Sequence, residues 1–429
     1  MTDAPVEPAP TAAGPRSLAK RILAFAGIPF VALLSPFIVL PVLARVADED
    51  VWLAIAIGQS VGAFAALGIA LGYSTVGPAE VAGADAAGRR RLLAASIHAR
   101  LPLWVVGCAI AVLIAALVAP ASARPEAMLM AAAMSLTGLT TTWYMIGVGR
   151  ALPLLTYDVL PRFVATLIAG GVLIAGGSVL WYPGLLAIAI IGGTLAYLSR
   201  TAGRDLLRFE AGEVRAVYRR NATAVAAEAS AGAYNALAVT LVGIVAPVAQ
   251  AARYVSGDKL YRIGQYAVTA LGNALQGWVV EPGTGRALWG RIRVTILLHA
   301  GLGILGFAAF VLLGPWLTAF AFGPGLAIDT ATAAGFGAAA FAISLGTAFG
   351  RVSLIALGRR REFMVCVMIA SATGVVAILV LGSVAGAAGA AWGLAIGELV
   401  SVTGQGLVLL AARRAARREG DPGSSASSQ

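Results

Sequence analysis

Residues 254–276 read YVSGDKLYRIGQYAVTALGNALQ. Asp258, Arg262, Gln265, Thr269, Asn273 and Gln276 recur here every three or four residues, so all six fall on one face of an α-helix. The other faces carry Ile263, Val268, Ala270, Leu271 and Leu275. Lipid would not tolerate such a stripe, because a polar side chain needs a partner in hydrocarbon. The segment therefore predicts a membrane helix whose polar face meets protein or water. Interhelical hydrogen bonding in a packed bundle accounts for Gln, Thr and Asn alone. The inclusion of Asp258, Lys259 and Arg262 favours a water-filled, cationic lumen.

The rest of the chain supplies a membrane context. Of its 429 residues, 59% are hydrophobic and 12% charged, and its mean hydropathy is +0.86. A soluble fold of this size could not hide that much apolar surface. Twelve apolar stretches are long enough to span a bilayer, near residues 22–43, 51–75, 101–119, 127–148, 159–180, 183–199, 222–246, 255–280, 294–318, 330–350, 363–382 and 386–411. The division between spans five and six rests on Trp181, Tyr182 and Pro183 alone. The expected fold is an all-α integral membrane protein of about 12 helices. It comprises a tail over 1–15, a six-helix lobe over 16–199, a linker over 200–221, a second six-helix lobe over 222–411 and a basic, then disordered, tail over 412–429.

The net charge is +11, and its distribution orients the chain. One side receives Arg16, Lys20 and Arg21, then Arg89, Arg90, Arg91 and Arg100, then Arg150 and Arg162. The linker adds six arginines from Arg200 to Arg220, and Arg286, Arg291, Arg293, Arg351, Arg359, Arg360 and Arg361 follow, before Arg413, Arg414, Arg417 and Arg418. The opposite loops hold only Arg45, Arg124 and Arg253. By the positive-inside rule both termini are cytoplasmic. The linker carries a loosely helical apolar stripe, Leu206, Leu207, Phe209, Val214, Val217 and Tyr218, among its arginines. It reads as a solvated basic amphipathic segment attracted to anionic headgroups.

Several function classes drop out. Neither Lys20 nor Lys259 lies in a phosphate-binding glycine loop. Cys108 and Cys366 sit in apolar runs, and His98 and His299 are too few for a zinc motif, so no metal and no cofactor are expected. The charge is not gathered on a soluble surface, so no nucleic acid is expected as partner. The extracytoplasmic loops around Asp48, Glu49, Asp50 and Glu126 are too short for a catalytic domain, so the chain reads as a non-enzyme.

Other polar groups fall within spans. Glu228 in span seven shares a face with Asn235, and span two contributes Gln59 and Ser60. A carboxylate removed from water either pairs with a cation or takes up a proton. For Glu228, a structural ion pair with Arg262 or Lys259 and a reversible proton site are both open. Glu398 in span twelve is a second candidate without patterned polar neighbours. Pro29, Pro36 and Pro41 bend span one. The two halves echo each other faintly, Pro41 to Trp52 against Pro247 to Tyr254.

Three stretches carry a family likeness: Leu40-Pro41-Val42-Leu43-Ala44-Arg45-Val46 running into Trp52; Trp143-Tyr144-Met145-Ile146-Gly147 through Tyr157-Asp158 to Arg162; and Tyr254-Val255-Ser256-Gly257-Asp258-Lys259-Leu260. They resemble the polysaccharide flippases of the multidrug/oligosaccharidyl-lipid/polysaccharide exporter superfamily, in its O-antigen or Wzx-like branch. Gly257 stands where that family usually has Ala. The resemblance implies two six-helix lobes around a central cavity lined by spans one, two, seven and eight, in a multi-pass protein of the bacterial cytoplasmic membrane. It implies a polyprenyl-pyrophosphate-linked oligosaccharide as substrate, flipped by alternating access and driven by H+ or Na+, with membrane lipids and other polysaccharide-assembly membrane proteins as partners. On that reading Arg262, Lys259, Gln265, Thr269, Asn273, Gln276, Gln59 and Asn235 bind substrate, and Glu228 and Asp258 couple to the ion. A peptidoglycan-precursor flippase and a drug or cation antiporter of the same superfamily are the rivals, followed by a membrane polymerase or ligase.

Overall fold

The computed structural model describes residues 39–281 and 285–419, without the side chains of 151, 204, 207, 223, 224, 226–234 and 417–419. The chain termini, the first part of span one with Pro29 and Pro36, and the side chain of Glu228 lie outside this description.

Every described element is helical. Residues 39–46 (α1) end span one. Span two is broken into α2 (Glu49–Ile69) and α3 (Tyr73–Gly83), and span three is α4 (Ala86–Val118). Span four comprises α5 (Arg124–Ser135), a 3-10 turn (Leu136–Leu139) and α6 (Thr142–Val148). Span five comprises α7 (Ala151–Leu154), a π turn (Leu155–Val159) and α8 (Leu160–Ile174), and span six is α9 (Trp181–Thr201). The second lobe contains α10 (Ala211–Val245), α11 (Val248–Val279), α12 (Gly285–Phe322), α13 (Thr330–Gly346) with a π turn (Thr347–Leu354), and α14 (Arg360–Glu419). Non-helical backbone at Ala385 and Gly386 splits α14 into spans eleven and twelve. Gly386 has φ +54°, a conformation that glycine adopts without penalty.

Spans five and six do divide, although the break precedes Trp181 and Pro183 sits in the first turn of α9, where its missing N–H is harmless. Hydropathy placed other boundaries wrongly. Arg100 and Arg162 are not loop residues: Arg100 lies midway along α4, and Arg162 lies inside the apolar span Leu152–Ile174. Arg351 likewise falls within the span Thr330–Leu354. A charged group lowers a hydropathy window even where the helix continues, because its partners come from other helices.

The lobes cohere through close approach of small residues, as helices in lipid generally do. A Cβ on Gly58 would stand 2.4 Å from the Ala127 carbonyl, and one on Gly62 would stand 2.5 Å from that of Ala131, so α2 and α5 meet backbone to backbone. Buried Arg100 ties the broken helix of span four: its Nη1 donates to the carbonyls of Gly138 and Thr140, both at 3.0 Å. Its guanidinium lies over the rings of Tyr73 and Trp143, with their centroids 5.5 and 5.7 Å away.

The linker has no helix of its own. A 3-10 turn (Gly203–Leu207) leads directly into α10, which runs through the linker's second half into span seven. Val217 is buried and Leu206, Val214 and Tyr218 pack beside it on the first lobe, so those members of the apolar stripe face protein, not headgroups. Polar bonds reinforce the seat: Arg90 pairs with Asp205 at 3.2 Å, Arg220 pairs with Glu80 at 3.2 Å, Tyr218 donates to the Ala99 carbonyl at 2.6 Å, and Asn221 donates to that of Leu71 at 2.9 Å.

Gly58→Val should lower the melting midpoint of the detergent-solubilised protein by an amount equivalent to about 1–3 kcal/mol. Gly68→Ala, where a Cβ meets nothing within 4 Å, should leave the midpoint unchanged or raise it. Thermal unfolding followed by tryptophan fluorescence tests both, and equal midpoints for the two variants would contradict the α2–α5 packing.

Candidate functional site

A cavity of about 580 Å³ lies between the lobes, within the range of small-molecule sites. Spans one, two, seven and eight line it, as the family resemblance implies, through Leu40, Gln59, Ser60, Asn235, Asp258, Lys259 and Arg262, among others. Spans four, five and six line it as well, through Thr137, Asp158, Arg162, Thr166 and Tyr182. Its walls are otherwise apolar, including Ala56, Leu67, Met134, Leu186, Ile190 and Val239.

Two Asp–Arg pairs at i,i+4 spacing face this space, one from each lobe. In α11, Arg262 Nε donates to Asp258 Oδ2 at 2.7 Å, and its Nη2 donates to the Asn235 carbonyl at 2.9 Å. The helical turn sets this geometry, because residues four apart are neighbours on one face. In the first lobe, Asp158 ends the π turn region and Arg162 begins α8, and their side chains pair at 2.5 Å. Thr142 donates to the other oxygen of Asp158 at 3.2 Å. The buried Arg162 Nε has no hydrogen-bond partner among the described residues. Lys259 Nζ donates across the lobe boundary to Gln59 Oε1 at 2.6 Å, and Gln59 Nε2 in turn donates to the Tyr182 hydroxyl at 3.4 Å. Among the described residues, three cations and two carboxylates therefore line the cavity.

Not every residue in the predicted stripe reaches this space. Gln265 instead bonds Asn235 Oδ1 at 3.3 Å. Thr269 and Asn273 are exposed further along α11, where Arg351 donates to Asn273 Oδ1 at 2.5 Å. Gln276 is half-buried still further along. The face that meets the cavity is Asp258, Lys259, Arg262 and Tyr266, rotated slightly from the predicted stripe. Glu398, half-buried in span twelve, does not line the cavity. Sequence reasoning missed Asp158 and Arg162 as cavity residues, although their i,i+4 spacing beside Pro161 was a signal that both belong to a helix.

The cavity is sealed at one end. Trp52, near the start of α2, is buried, donates to the Ala252 carbonyl of α11 at 3.2 Å, and stands 5.3 Å from the Phe322 ring. Arg45 reaches the Phe320 carbonyl at 2.8 Å. Closer to the cavity, Thr240 donates to Ser60 at 2.8 Å, and Ser60 donates to the Ala236 carbonyl at 2.5 Å. Toward the other ends of α2 and α11, the polar face of α11 is exposed at Thr269 and Asn273.

The Asp258 side chain is 3% exposed and the Asp158 side chain 16%. Removing Arg262 thus strands the more deeply buried charge. Arg262→Ala should cost about 3–5 kcal/mol of stability, and Arg162→Ala distinctly less. The double variant Asp258→Asn/Arg262→Ala should recover part of the loss. Melting midpoints of the three proteins measure this order, and a larger loss for Arg162→Ala would refute it.

No family model matches the sequence, and no curated protein matches it. Solved structures do. An inward-facing structure of a multidrug resistance MATE family transporter of the MOP superfamily is 13% identical, covers 93% of this chain and 99% of its own, and has a TM-score of 0.68. The lipid II flippase MurJ, in an inward closed conformation, is 12% identical over 92% of this chain and 87% of its own, with a TM-score of 0.67. An outward-facing structure of a multidrug resistance MATE family transporter is 13% identical over 94% and 97%, with a TM-score of 0.54. The chain has the two-lobed, all-helical fold of these MOP superfamily transporters.

Proposed function

We propose that this chain is a flippase for a lipid-linked oligosaccharide, which it carries across the bacterial cytoplasmic membrane by ion-coupled alternating access. The observation that carries this reading is the convergence of Arg162, Lys259 and Arg262 from both lobes on one cavity, with donor capacity left over. Lys259 spends one of its three donors on Gln59, and Arg162 Nε has no partner among the described residues. Such groups suit a pyrophosphate, which accepts several charge-assisted hydrogen bonds at once. Gln59, Thr137, Thr166 and Tyr182 offer neutral partners for sugar hydroxyls. With the positive side of the chain cytoplasmic, the sealed end faces outward and the cavity is accessible from the side where lipid-linked sugars are assembled. The better superposition on the inward-facing than on the outward-facing transporter supports this orientation.

The coupling ion is H+ or Na+, with Glu228 and Asp258 as the responding carboxylates. Asp258 is bonded to Arg262 at 2.7 Å, so loading that draws Arg262 toward the substrate would break this pair and link substrate binding to the carboxylate. The second reading is a peptidoglycan-precursor flippase, which the likeness to MurJ favours and which uses the same cationic chemistry. A drug or cation antiporter fits the cavity less well, because organic cations would meet three like charges there.

In proteoliposomes loaded with a fluorescent polyprenyl-pyrophosphate-linked sugar, Lys259→Ala and Arg262→Ala should each slow flipping by about tenfold or more, since a hydrogen bond to a charged group contributes about 1.5–3 kcal/mol. Wild-type rates in both would remove the cationic cavity as the binding site. Glu228→Gln should abolish the response of that rate to an imposed pH gradient, and an unchanged response removes Glu228 as the coupling group. Depletion in cells separates the two flippase readings: lysis indicates the peptidoglycan precursor, and loss of surface polysaccharide without lysis indicates an exported repeat unit.

A further inference from the structure

Three layers of interlobe contact close the sealed end. The outermost pairs Trp52 with the Ala252 carbonyl and Phe322, and the next is the Thr240–Ser60–Ala236 run. Both are made of neutral groups. The Thr240–Ser60–Ala236 run reaches the cavity wall at Ser60 and Ala236, and beside it there the third contact differs in being made by a charged group, from the Lys259 ammonium to the Gln59 amide oxygen at 2.6 Å. Gln59 is steadied from behind by Tyr182. Lys259 is thus both part of the lobe seam and part of the cavity wall.

We infer that Lys259 is the latch through which an anion in the cavity opens the sealed end, and that Gln59 competes with the substrate for it. This rests on the reading of the cavity as an anion site. An ammonium is a point charge on a flexible stem with three rotatable donors. A neutral amide oxygen is a weaker partner for it than an ionic phosphate oxygen. An anion held by Arg262 and Arg162 draws Lys259 toward itself and away from Gln59, so the seam loses the charged bond at the cavity wall when the cavity fills. Coupling of this kind is reciprocal: whatever strengthens Lys259–Gln59 weakens anion binding by the same factor, and whatever removes it strengthens anion binding. Gln59 is therefore a positioning residue whose loss tightens binding. A residue that merely contacted substrate would do the opposite.

The test uses the full chain in nanodiscs, with Cys108 and Cys366 replaced by Ala and nitroxide labels at Val46→Cys and Gly325→Cys, two exposed sites on opposite lobes at the sealed end. The probe is geranyl pyrophosphate. For wild type, saturating probe should shift the interlobe distance distribution toward longer values. Gln59→Ala should broaden that distribution without probe and bind the probe about two- to tenfold more tightly, the factor expected for one competing hydrogen bond. Gln59→Glu should keep the distribution narrow with or without probe. Should Gln59→Ala fail to fold, Gln59→Asn shortens the reach by one methylene and serves the same purpose. Weaker or equal binding by the Gln59 variant, or an unmoved wild-type distance at saturation, overturns the latch and leaves the anion site standing. Failure of wild type to bind the probe at all removes the anion reading, and the latch with it.

Discussion

A charge inside a bilayer must have a partner, and this requirement organises the centre of the molecule. Asp258 and Asp158 are each held by an arginine four residues ahead on the same helix, so each lobe satisfies its own carboxylate locally. Lys259 forms no ion pair among the described residues, its neighbour Asp258 being held by Arg262, and it finds its hydrogen-bond partner across the lobe boundary, in Gln59. Local pairing within lobes and a charged bond between them at the cavity wall leave cationic donors to spare there.

Arg100 obeys the same rule by other means. Among the described residues no carboxylate pairs with it; the Gly138 and Thr140 carbonyls, the carbonyl and hydroxyl of Ser96 and two aromatic faces do. The carbonyls of Gly138 and Thr140 are available because span four is interrupted between α5 and α6. The interruption also brings Thr137 to the cavity wall and Thr142 to Asp158. A broken helix, a buried cation and a positioned carboxylate are thus parts of one arrangement, well away from the span that announced the lumen.

How legible this was in the sequence varied with the kind of signal. The stripe of span eight was legible because five turns of helical periodicity are hard to produce by chance, and Asp258, Lys259 and Arg262 do line the cavity. Its lower half was legible as polar but not as outside the cavity, since periodicity gives the face of a helix and says nothing of depth. Asp158 and Arg162 lay in plain sight as an i,i+4 pair, yet the expected span began between them at residue 159 and Arg162 was counted with the cations of one membrane side, so the pair was not read as one helical face. Helix breaks were least legible. The non-glycine Leu71 takes a left-handed conformation at φ +52° where span two divides, and the bond from Asn221 that meets its carbonyl comes from 150 residues away. Nothing local to Leu71 encodes that partner.

Span seven belongs to the second lobe by sequence order, but its linker-side end is fastened to the first. Arg220, Tyr218 and Asn221 anchor α10 to Glu80, Ala99 and Leu71, while at its far end Val239 and Val242 share the central core with both lobes. The helix is therefore a strap as well as a wall. Any motion of the lobes apart would be restrained at the anchored end, because a continuous helix of 35 residues resists stretching far more than bending. Such a motion would be a pivot about a fixed tether, and the width of the opening at that end would be limited by how far α10 can bow.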